Sequence, residues 1–262
     1  GWQDYPAIIA PYNDLVRTNK LIEENKKDIA AIIVEPVSAN SGVILPEDGF
    51  LRGLRDIADR YGFILIFDEV ITGFRLGFGG AQGLFKVRPD LTTLGKIIGA
   101  GFPMGAFGGP REIMQLLAPE GEVYQAGTLS GSPVAVTAGL ATLKILKNDN
   151  PYEALGKNTG WLCRQIEKAA KEFDIAIRIN RAGSIFSIFF SGQEVNDYQS
   201  TQRQDTAFFR KFFHGLLKRG TYFSPSPFEA NFLSAAHNAQ DFKKTLAAVR
   251  ETFMEIKRKE RR

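Results

Sequence analysis

The stretch "IAAIIVEPVSANSGVILPEDGFLRGLRDIADRYGFILIFDEV", residues 29–70, decides the fold class. Its two ends, 29–37 and 63–70, are continuous apolar runs rich in β-branched residues, a pattern typical of parallel strands buried on both faces. Between them, apolar residues recur every three or four positions from Phe50 to Tyr61 and predict an amphipathic helix. A strand, a helix and a strand in this order form a right-handed βαβ unit, so we predict an α/β fold with a mainly parallel sheet.

Each of the two predicted strands ends in an acidic residue, Glu35 in the first and Asp68 in the second. Ligands of open α/β sheets bind at the carboxyl ends of the strands, so this edge is the predicted binding site. Side chains alternate along a strand, which places Asp68 and Val70 on one face and Glu69 on the other. A carboxylate at the end of a buried strand stays ionised only beside a cation or strong donors. The alternative is that Asp68 caps the following turn.

A single lysine, Lys96, interrupts the weakly charged segment "DLTTLGKIIGAGFPMGA" at residues 90–106. We interpret the glycine-rich region 71–109 as loops around a site and expect Lys96 to lie in an apolar pocket. An ammonium there is costly unless it is paired, neutralised or covalently used; a lysine that reaches the surface is the alternative. A desolvated lysine near the carboxylate of Asp68 suits pyridoxal 5'-phosphate (PLP), which bonds to an amine and needs an acid at its ring nitrogen.

Other cofactor and catalytic motifs fail on their spacing. Asp90 stands where a phosphate-binding loop needs glycine, and Ile97 follows Lys96 where it needs serine or threonine. Met104 occupies the place of the third glycine of a dinucleotide-binding motif, and no G-x-S-x-G sequence marks a nucleophilic serine. One cysteine and two histidines give no metal-ligand cluster, so we expect no metal.

The charge distribution bears on partners and compartment. The formal net charge of +4 lies in the last six residues, "KRKERR", and the remainder of the chain is neutral. This basicity predicts a solvated helix end rather than a nucleic-acid-binding face. The single cysteine, Cys163, fits a reducing compartment, and no apolar run is long enough for a membrane helix. We therefore expect a cytoplasmic protein, or a stromal one if the source is a plant or an alga.

The composition changes after residues 147–151, "KNDNP", and the remainder predicts helices with few strands. We expect two domains, the latter part of a large domain at 1–150 and a smaller α+β domain at 151–262. Ser132 is the expected N-cap of the helix that ends the first domain, with Pro133 at its first position. The predicted elements are a helix over 132–146, a helix over 152–173, a strand over 181–192, a helix over 206–219, strands and a loop over 220–236, and a final helix from Ala239.

Three long segments carry a resemblance to a known family. They are "AIIVEPVSANSGVILP" (31–46), "LIFDEVITGFRLGFGGAQGLFKVRPDLTTLGKIIGAGFPMGAFGG" (65–109) and "VYQAGTLSGSPVAVTAGLATL" (123–143). Together they closely resemble the class III PLP-dependent aminotransferases. The resemblance implies fold type I, with part of a large domain built on a mainly parallel sheet and a smaller α+β domain at the carboxyl terminus.

The resemblance also implies roles for individual residues around the PLP ring. Lys96 corresponds to the lysine that forms the Schiff base, and Asp68 to the carboxylate paired with the ring nitrogen. Val70 corresponds to the residue stacked on the ring. Asn40 corresponds to the asparagine beside the phenolic oxygen, although glycine and methionine are more usual around it.

A second group of residues implies an assembly. Thr128, with Gly127 beside it, corresponds to the threonine that binds the cofactor phosphate of the partner subunit. The resemblance therefore implies a homodimer with shared active sites, in which Tyr124 faces the neighbouring site.

The segment "SPSPFEANFLSAAH", residues 224–237, lacks the substrate-binding arginine of many class III aminotransferases and carries Glu229 instead. This resembles the branch of the family in which such a glutamate lies near the lysine and the substrate amine. The implied reaction is an intramolecular amino transfer that converts the small molecule glutamate-1-semialdehyde to 5-aminolevulinate for tetrapyrrole synthesis, with PLP or pyridoxamine 5'-phosphate (PMP) as cofactor. Two alternatives remain: an ω- or diamine aminotransferase, and a non-catalytic chain that acts only in folding or dimerisation.

Three features of the family have no counterpart in the sequence. They are the turn that cradles the cofactor phosphate, the aromatic residue that stacks on the second face of the ring, and the mobile gating loop. We therefore expect the chain to be the carboxyl-terminal part of such an enzyme, with weak or no binding of PLP on its own.

Overall fold

The computed structural model describes residues 7–260. A four-stranded sheet with its helices fills the first part of the chain, and a three-stranded sheet with further helices follows. The first part comprises α1 (Leu15–Asn25), β1 (Ala31–Val34), α2 (Phe50–Tyr61), β2 (Ile64–Glu69), α3 (Gly80–Phe85), β3 (Leu91–Leu94), β4 (Ala106–Gly108), α4 (Arg111–Met114) and α5 (Pro133–Asp149). The second part comprises α6 (Tyr152–Glu172), β5 (Arg178–Ala182), β6 (Ile185–Phe189), α7 (Tyr198–Thr201), α8 (Thr206–Lys218), β7 (Asn231–Phe232) and α9 (Ala239–Glu260).

The first sheet has the strand order β1-β2-β3-β4. The strands β1, β2 and β3 are parallel, and β4 is antiparallel to β3. The predicted βαβ unit and the mainly parallel sheet are therefore confirmed. The interpretation of 71–109 as loops alone is wrong, because α3, β3 and β4 lie within it. These elements are only three to six residues long, too short for a clear periodic pattern.

The helix α2 covers one face of this sheet. It lies between Gly49 and Gly62, which adopt φ angles of 85° and 72°, a left-handed conformation that glycine allows without strain. Its buried stripe includes the predicted Phe50 and packs with Leu65 and Phe67 of β2 in one apolar core. The alternation of buried and half-buried residues along β2 puts the side chain of Glu69 on this covered face.

The opposite face of the sheet is open in the part of the chain that the structure describes. Ile33 of β1 is 64% exposed, and its neighbour in register, Ile66, is half-buried. The prediction that both strands are buried on both faces is therefore wrong for residues 7–260. An unbroken apolar run predicts burial without telling which element covers each face, and α2 packs on one face only.

The second part of the chain contains the sheet β5-β6-β7, which is antiparallel throughout. Its main core joins β6 with α6, α8 and α9, all three of which confirm the predicted helices. The predicted single strand over 181–192 is wrong: β5 and β6 form a hairpin that turns at Gly183, which has a φ of 51°. The region 220–236 holds only the two residues of β7.

Two further observations qualify the predicted organisation. Ser132 precedes α5 as predicted, and Pro133 is its first residue, but the side chain of Ser132 makes no capping hydrogen bond. A separate apolar cluster packs Val37 and Leu76 from the first part against Ile185 and Ala230 from the second. The division into domains at 150 and 151 stays a prediction.

None of the helices between residues 7 and 260 is long and apolar enough to cross a membrane.

Candidate active site

Asp68 lies at the carboxyl end of β2, on the open face of the sheet, and is half-buried. Its neighbour in register on β3 is Thr93. The carboxylate oxygen Oδ1 accepts hydrogen bonds from the backbone N–H of Val70 at 3.0 Å and from Thr93 Oγ1 at 3.3 Å. Among the described residues, no hydrogen bond reaches Oδ2 of Asp68. One oxygen is thus held by the protein, and the other is free to accept a hydrogen bond from a ligand.

Glu69 points to the covered face and is fully buried. One carboxylate oxygen accepts from Thr72 Oγ1 at 2.9 Å and Ala81 N at 2.6 Å, and the other accepts from the backbone and side-chain nitrogens of Gln82 at 2.9 and 3.1 Å. Gly80 has a φ of +64°, and a Cβ there would lie close to the same carboxylate. Glu69 therefore fixes the loop that starts α3, and the predicted opposite orientation of Asp68 and Glu69 is confirmed.

Lys96 follows β3 and begins a single 3-10 turn, Lys96–Gly99. Its φ of 49° is left-handed, a conformation that costs a residue with a side chain about 1–2 kcal/mol. Its side chain is exposed, so the expectation of a lysine in an apolar pocket is wrong for this chain. The buried residues of the turn are instead Ile98 and Gly99.

Two glycines set the position of this turn. A Cβ on Gly139 of α5 would lie 2.0 Å from the carbonyl oxygen of Ile98, so this helix approaches the turn closely. A Cβ on Gly95 would lie 3.1 Å from Cγ1 of Val70. The residue before Lys96 therefore contacts Val70, two residues beyond Asp68. The ends of β2 and β3 bring Asp68, Val70 and the backbone of Lys96 together at one edge of the sheet.

Asn40 lies in the loop after β1, and Glu35 holds the start of that loop. Glu35 Oε2 accepts from the backbone N–H of Ala39 at 2.9 Å, and Oε1 accepts from Asn40 Nδ2 at 3.4 Å. Burial raises the pKa of Glu35 above its usual range, the negative charge of Asp68 adds to the rise, and the hydrogen bonds and the charge of Lys96 oppose it. These Coulomb contributions place Glu35 within electrostatic reach of both site residues.

Glu229 is exposed in the loop before β7, and its Oε2 accepts from Ser224 Oγ at 2.7 Å. This loop contacts the loop of Asn40 directly, because Gly42 N donates to the carbonyl oxygen of Phe228 at 2.6 Å. Ser187 Oγ donates to the carbonyl oxygen of Glu229 at 3.0 Å and accepts from Val43 N at 2.9 Å. The structure therefore brings the backbones around Asn40 and Glu229 together.

The structure does not bring Thr128 and Gly127 to the same edge. Both lie in an exposed turn before α5, in which Ser130 N donates to the carbonyl oxygen of Gly127 at 2.9 Å. Tyr124, which precedes them, is 83% exposed. No hydrogen bond among residues 7–260 joins this turn to Asp68 or Lys96.

The residues at the ends of β2 and β3 fit the ring of PLP. The free Oδ2 of Asp68 is an acceptor for a protonated ring nitrogen. Val70, half-buried beside Gly95, offers an apolar contact. Among residues 7–260, no salt bridge or hydrogen bond occupies the amine of Lys96. The fit extends to the ring alone, since the phosphate-binding candidate Thr128 lies elsewhere.

Three residues that position this site were not recognised from the sequence: Thr93, Gly95 and Gly139. Glu35 lies at the predicted edge, and only its contact with Asn40 was missed. For Thr93, the signal was a hydroxyl three residues before Lys96 in a segment of β-branched residues. Gly139, a glycine inside a predicted helix, marks a close approach of backbones, but the sequence does not tell which backbone.

The fold and this edge of the sheet define the class of protein. A model of the family "Aminotransferase class-III" matches residues 6–231, and the chain belongs to this family. Curated relatives are glutamate-1-semialdehyde 2,1-aminomutases from bacteria. The protein of Syntrophomonas wolfei subsp. wolfei is 53% identical over 243 residues, which are 93% of this chain and 56% of that protein. The protein of Roseiflexus castenholzii is 49% identical over 250 residues, which are 95% of this chain and 58% of that protein.

Solved structures agree on the fold. An ω-transaminase from Sphaerobacter thermophilus superimposes with a TM-score of 0.88 and 31% identity, over 94% of this chain and 57% of that one. A glutamate-1-semialdehyde aminomutase from Pseudomonas aeruginosa in complex with PMP superimposes with a TM-score of 0.84 and 23% identity, over 95% of this chain and 56% of that one. The predicted fold class is confirmed. The chain spans between 56% and 58% of the length of the curated relatives it matches.

Proposed function

We propose that the protein to which this chain belongs converts glutamate-1-semialdehyde to 5-aminolevulinate by intramolecular amino transfer, a step of tetrapyrrole synthesis. The observation that carries this proposal is the sequence identity of 53%, over 93% of the chain, to a protein named glutamate-1-semialdehyde 2,1-aminomutase. The proposed cofactor is PLP, which alternates with PMP. When bound, it supplies an electron-withdrawing ring that stabilises negative charge on a neighbouring substrate carbon.

The residues at the sheet edge have separate tasks in this reaction. Lys96 would hold the cofactor through its amine and would serve as the base that moves protons to and from the substrate carbons. Its place in a short turn fixes the backbone, while its exposed side chain can swing. Asp68 accepts the hydrogen of the ring nitrogen on Oδ2 and keeps that nitrogen protonated. Val70 contacts the face of the ring, and Asn40 binds the phenolic oxygen.

Glu229 fits an amine better than a carboxylate. Its Oε2 accepts from Ser224 Oγ, and among the described residues no hydrogen bond reaches Oε1. A carboxylate repels the carboxylate of an amino-acid substrate but binds an ammonium group. This favours a substrate that carries an amine at each of two carbons during the reaction over the α-carboxylate binding of many aminotransferases.

Two further assignments belong to this proposal. The exposed Gly127, Thr128 and Tyr124 would reach the active site of a second copy, in a homodimer with shared sites, where Thr128 binds the cofactor phosphate. The proposed compartment is the cytoplasm.

The attachment of PLP to Lys96 tests the proposal. We would incubate the 262-residue chain and the whole protein with PLP, reduce them with borohydride and map the modified peptide by mass spectrometry. The expected result for the whole protein is one cofactor per chain on Lys96, lost in Lys96→Ala and retained in Lys144→Ala, a matched change of an exposed lysine. A whole protein without modification at Lys96 would contradict the proposal. Modification of the whole protein but not of the 262-residue chain would assign this chain the non-catalytic role.

A further inference from the structure

Glu35 is an ionisable residue of the site to which the proposed reaction gives no task. Glu35 directly follows β1. Val34 of β1 is paired with Phe67 of β2, so the next residues, Glu35 and Asp68, are also opposite each other. Residues paired in a parallel sheet point to the same face, so both side chains emerge at the same edge. Two carboxylates side by side disfavour each other's ionised form, so the presence of Glu35 beside Asp68 calls for an explanation.

We propose that Glu35 is a positioning residue that orients the side-chain amide of Asn40, so that Asn40 presents an N–H group to the phenolic oxygen of the cofactor. This inference rests on the proposed function. It assigns Glu35 no contact with substrate or cofactor.

The hydrogen-bonding groups of Glu35 and Asn40 fix the orientation of the Asn40 amide. An asparagine amide has an acceptor oxygen and an NH₂ group with two hydrogens, and a rotation of the amide plane by half a turn exchanges them. An ionised carboxylate only accepts hydrogen bonds, so the contact of 3.4 Å between Glu35 Oε1 and Asn40 Nδ2 requires the NH₂ side of Asn40 to face Glu35. The second hydrogen of the NH₂ group then remains for an anionic oxygen of a ligand. In the reverse orientation, two oxygen acceptors would face each other.

The stronger contact of Glu35 sets the backbone beneath Asn40. The bond from Ala39 N to Glu35 Oε2 is 2.9 Å long and spans four residues. A carboxylate has two acceptor oxygens, and here each receives one of these donors. Glutamine has one acceptor oxygen and an NH₂ group, so in Glu35→Gln one of the two donors must face another donor. Glu35→Gln therefore keeps the shape of the side chain at position 35 while removing one of the two acceptors that orient Ala39 N and the amide of Asn40.

The charged and ionisable groups near Glu35 affect the pH at which it ionises. Among the described residues, the ionisable groups that interact electrostatically with Glu35 are Tyr12, Asp68 and Lys96. Tyr12 donates its hydroxyl hydrogen to the carbonyl oxygen of Pro36 at 3.1 Å and is held neutral, since burial and the nearby Glu35 raise its pKa. Lys96 favours the ionised form of Glu35, and Asp68 disfavours it. Glu35 accepts with both oxygens only in its ionised form, and the raised pKa moves that form to higher pH.

Contacts that do not involve Glu35 also hold the loop. Ser38 and Ile44 are joined by two backbone hydrogen bonds of 2.9 and 3.1 Å, and the hydroxyl oxygens of Ser38 and Ser41 lie 3.0 Å apart. Gly42 N bonds to the carbonyl oxygen of Phe228 at 2.6 Å. A change at Glu35 should thus alter the orientation of Asn40 rather than unfold the loop.

The first experiment uses the 262-residue chain without cofactor. The side-chain ¹⁵N–¹H signals of Asn40, identified by their loss in Asn40→Ser, are followed through a pH titration. We expect them to shift with one midpoint above the usual range of glutamate, and this shift to disappear in Glu35→Gln. The control is Glu47→Gln, which changes a similar contact at the surface, where Asn196 Nδ2 donates to Glu47 Oε1 at 2.9 Å. Asn40 signals that do not titrate, or that titrate unchanged in Glu35→Gln, would overturn the proposal.

The second experiment uses the whole protein with PLP. We expect Glu35→Gln to move the pH midpoint of the visible absorbance of the bound cofactor by about one unit, a tenfold change in the equilibrium, because a donor to the phenolic oxygen is lost. Glu47→Gln should leave the midpoint in place. PLP bound with an unchanged midpoint in Glu35→Gln would overturn only the role of Glu35. A whole protein that binds no PLP would overturn the proposed function as well.

Discussion

Gly139→Ala is the substitution that most directly tests how the turn of Lys96 is positioned. A Cβ at this buried position would lie 2.0 Å from the carbonyl oxygen of Ile98, whereas Cβ atoms essentially never come within 3.0 Å of another group. The obstacle is backbone, so α5 or the turn Lys96–Gly99 must move by about 1 Å. Overpacking of this kind costs about 1–3 kcal/mol, against a gain of about 1 kcal/mol in helix propensity. We expect a net loss of up to about 2 kcal/mol in the free energy of unfolding, at the upper end of this range, because a carbonyl cannot rotate away as a side chain can.

The assay is urea unfolding of the 262-residue chain, with Gly156→Ala as the matched control. Gly156 lies within α6, and a Cβ there would meet no atom within 4 Å. The control should therefore be stabilised by up to about 1 kcal/mol. In the whole protein, Gly139→Ala should also lower the yield of PLP trapped on Lys96. A Gly139→Ala chain at least as stable as the parent, with the trapping yield unchanged, would refute the close packing of α5 on this turn.

Three further substitutions give distinct outcomes. Asp68→Asn should slow product formation by the whole protein at least about 100-fold while leaving PLP on Lys96, because an amide does not keep the ring nitrogen protonated; product formed at the parent rate would contradict this. Glu69→Gln should lower the free energy of unfolding by about 1–3 kcal/mol, measured in urea, because the two donors on one carboxylate oxygen lose their acceptor; an unchanged midpoint would contradict the role of Glu69 in fixing α3. Asp90→Asn should destabilise the chain by about 1–3 kcal/mol at pH 7, because Asp90 Oδ2 accepts from Leu65 N and Arg55 Nη1, each at 2.7 Å. Desolvation raises the pKa of Asp90, but these bonds and the charge of Arg55 outweigh it and hold the pKa below its usual 3.8. The stabilisation by Asp90 is therefore fully present above pH 3.8 and is lost as the pH falls through the lowered pKa. The difference between parent and Asp90→Asn should therefore narrow in acid, and a constant difference would contradict this assignment.

The sequence was most informative where a periodic pattern ran over a long segment. The spacing of the apolar residues from Phe50 to Tyr61 predicted α2, and the two apolar runs predicted the parallel pair β1 and β2. The structure adds that the glycines before and after α2 both adopt left-handed angles. Helix patterns in the second part were equally reliable, since α6, α8 and α9 each bury one apolar face in a common core.

The sequence was least informative where the structure depends on contacts between distant segments. The strand β3 has four half-buried residues, two of them threonines, and only its pairing with β2 and β4 makes it a strand. The burial of Lys96 was mispredicted because its apolar neighbours pack under the turn while its own side chain leaves it. Thr93 contacts Asp68 through the register of β2 and β3, which a local pattern does not contain.

The central claim is that the amine is transferred within one substrate, and turnover without an amine donor tests it most directly. The whole protein, converted fully to its PMP form, is mixed with an excess of glutamate-1-semialdehyde and no other amine. Production of 5-aminolevulinate is then counted per active site, with Lys96→Ala as the inactive control. The proposed function predicts many molecules of product per site, because each cycle returns an amine to the cofactor. Arrest after one half-reaction, at no more than one amine transferred per site, would contradict it and identify an ω- or diamine aminotransferase.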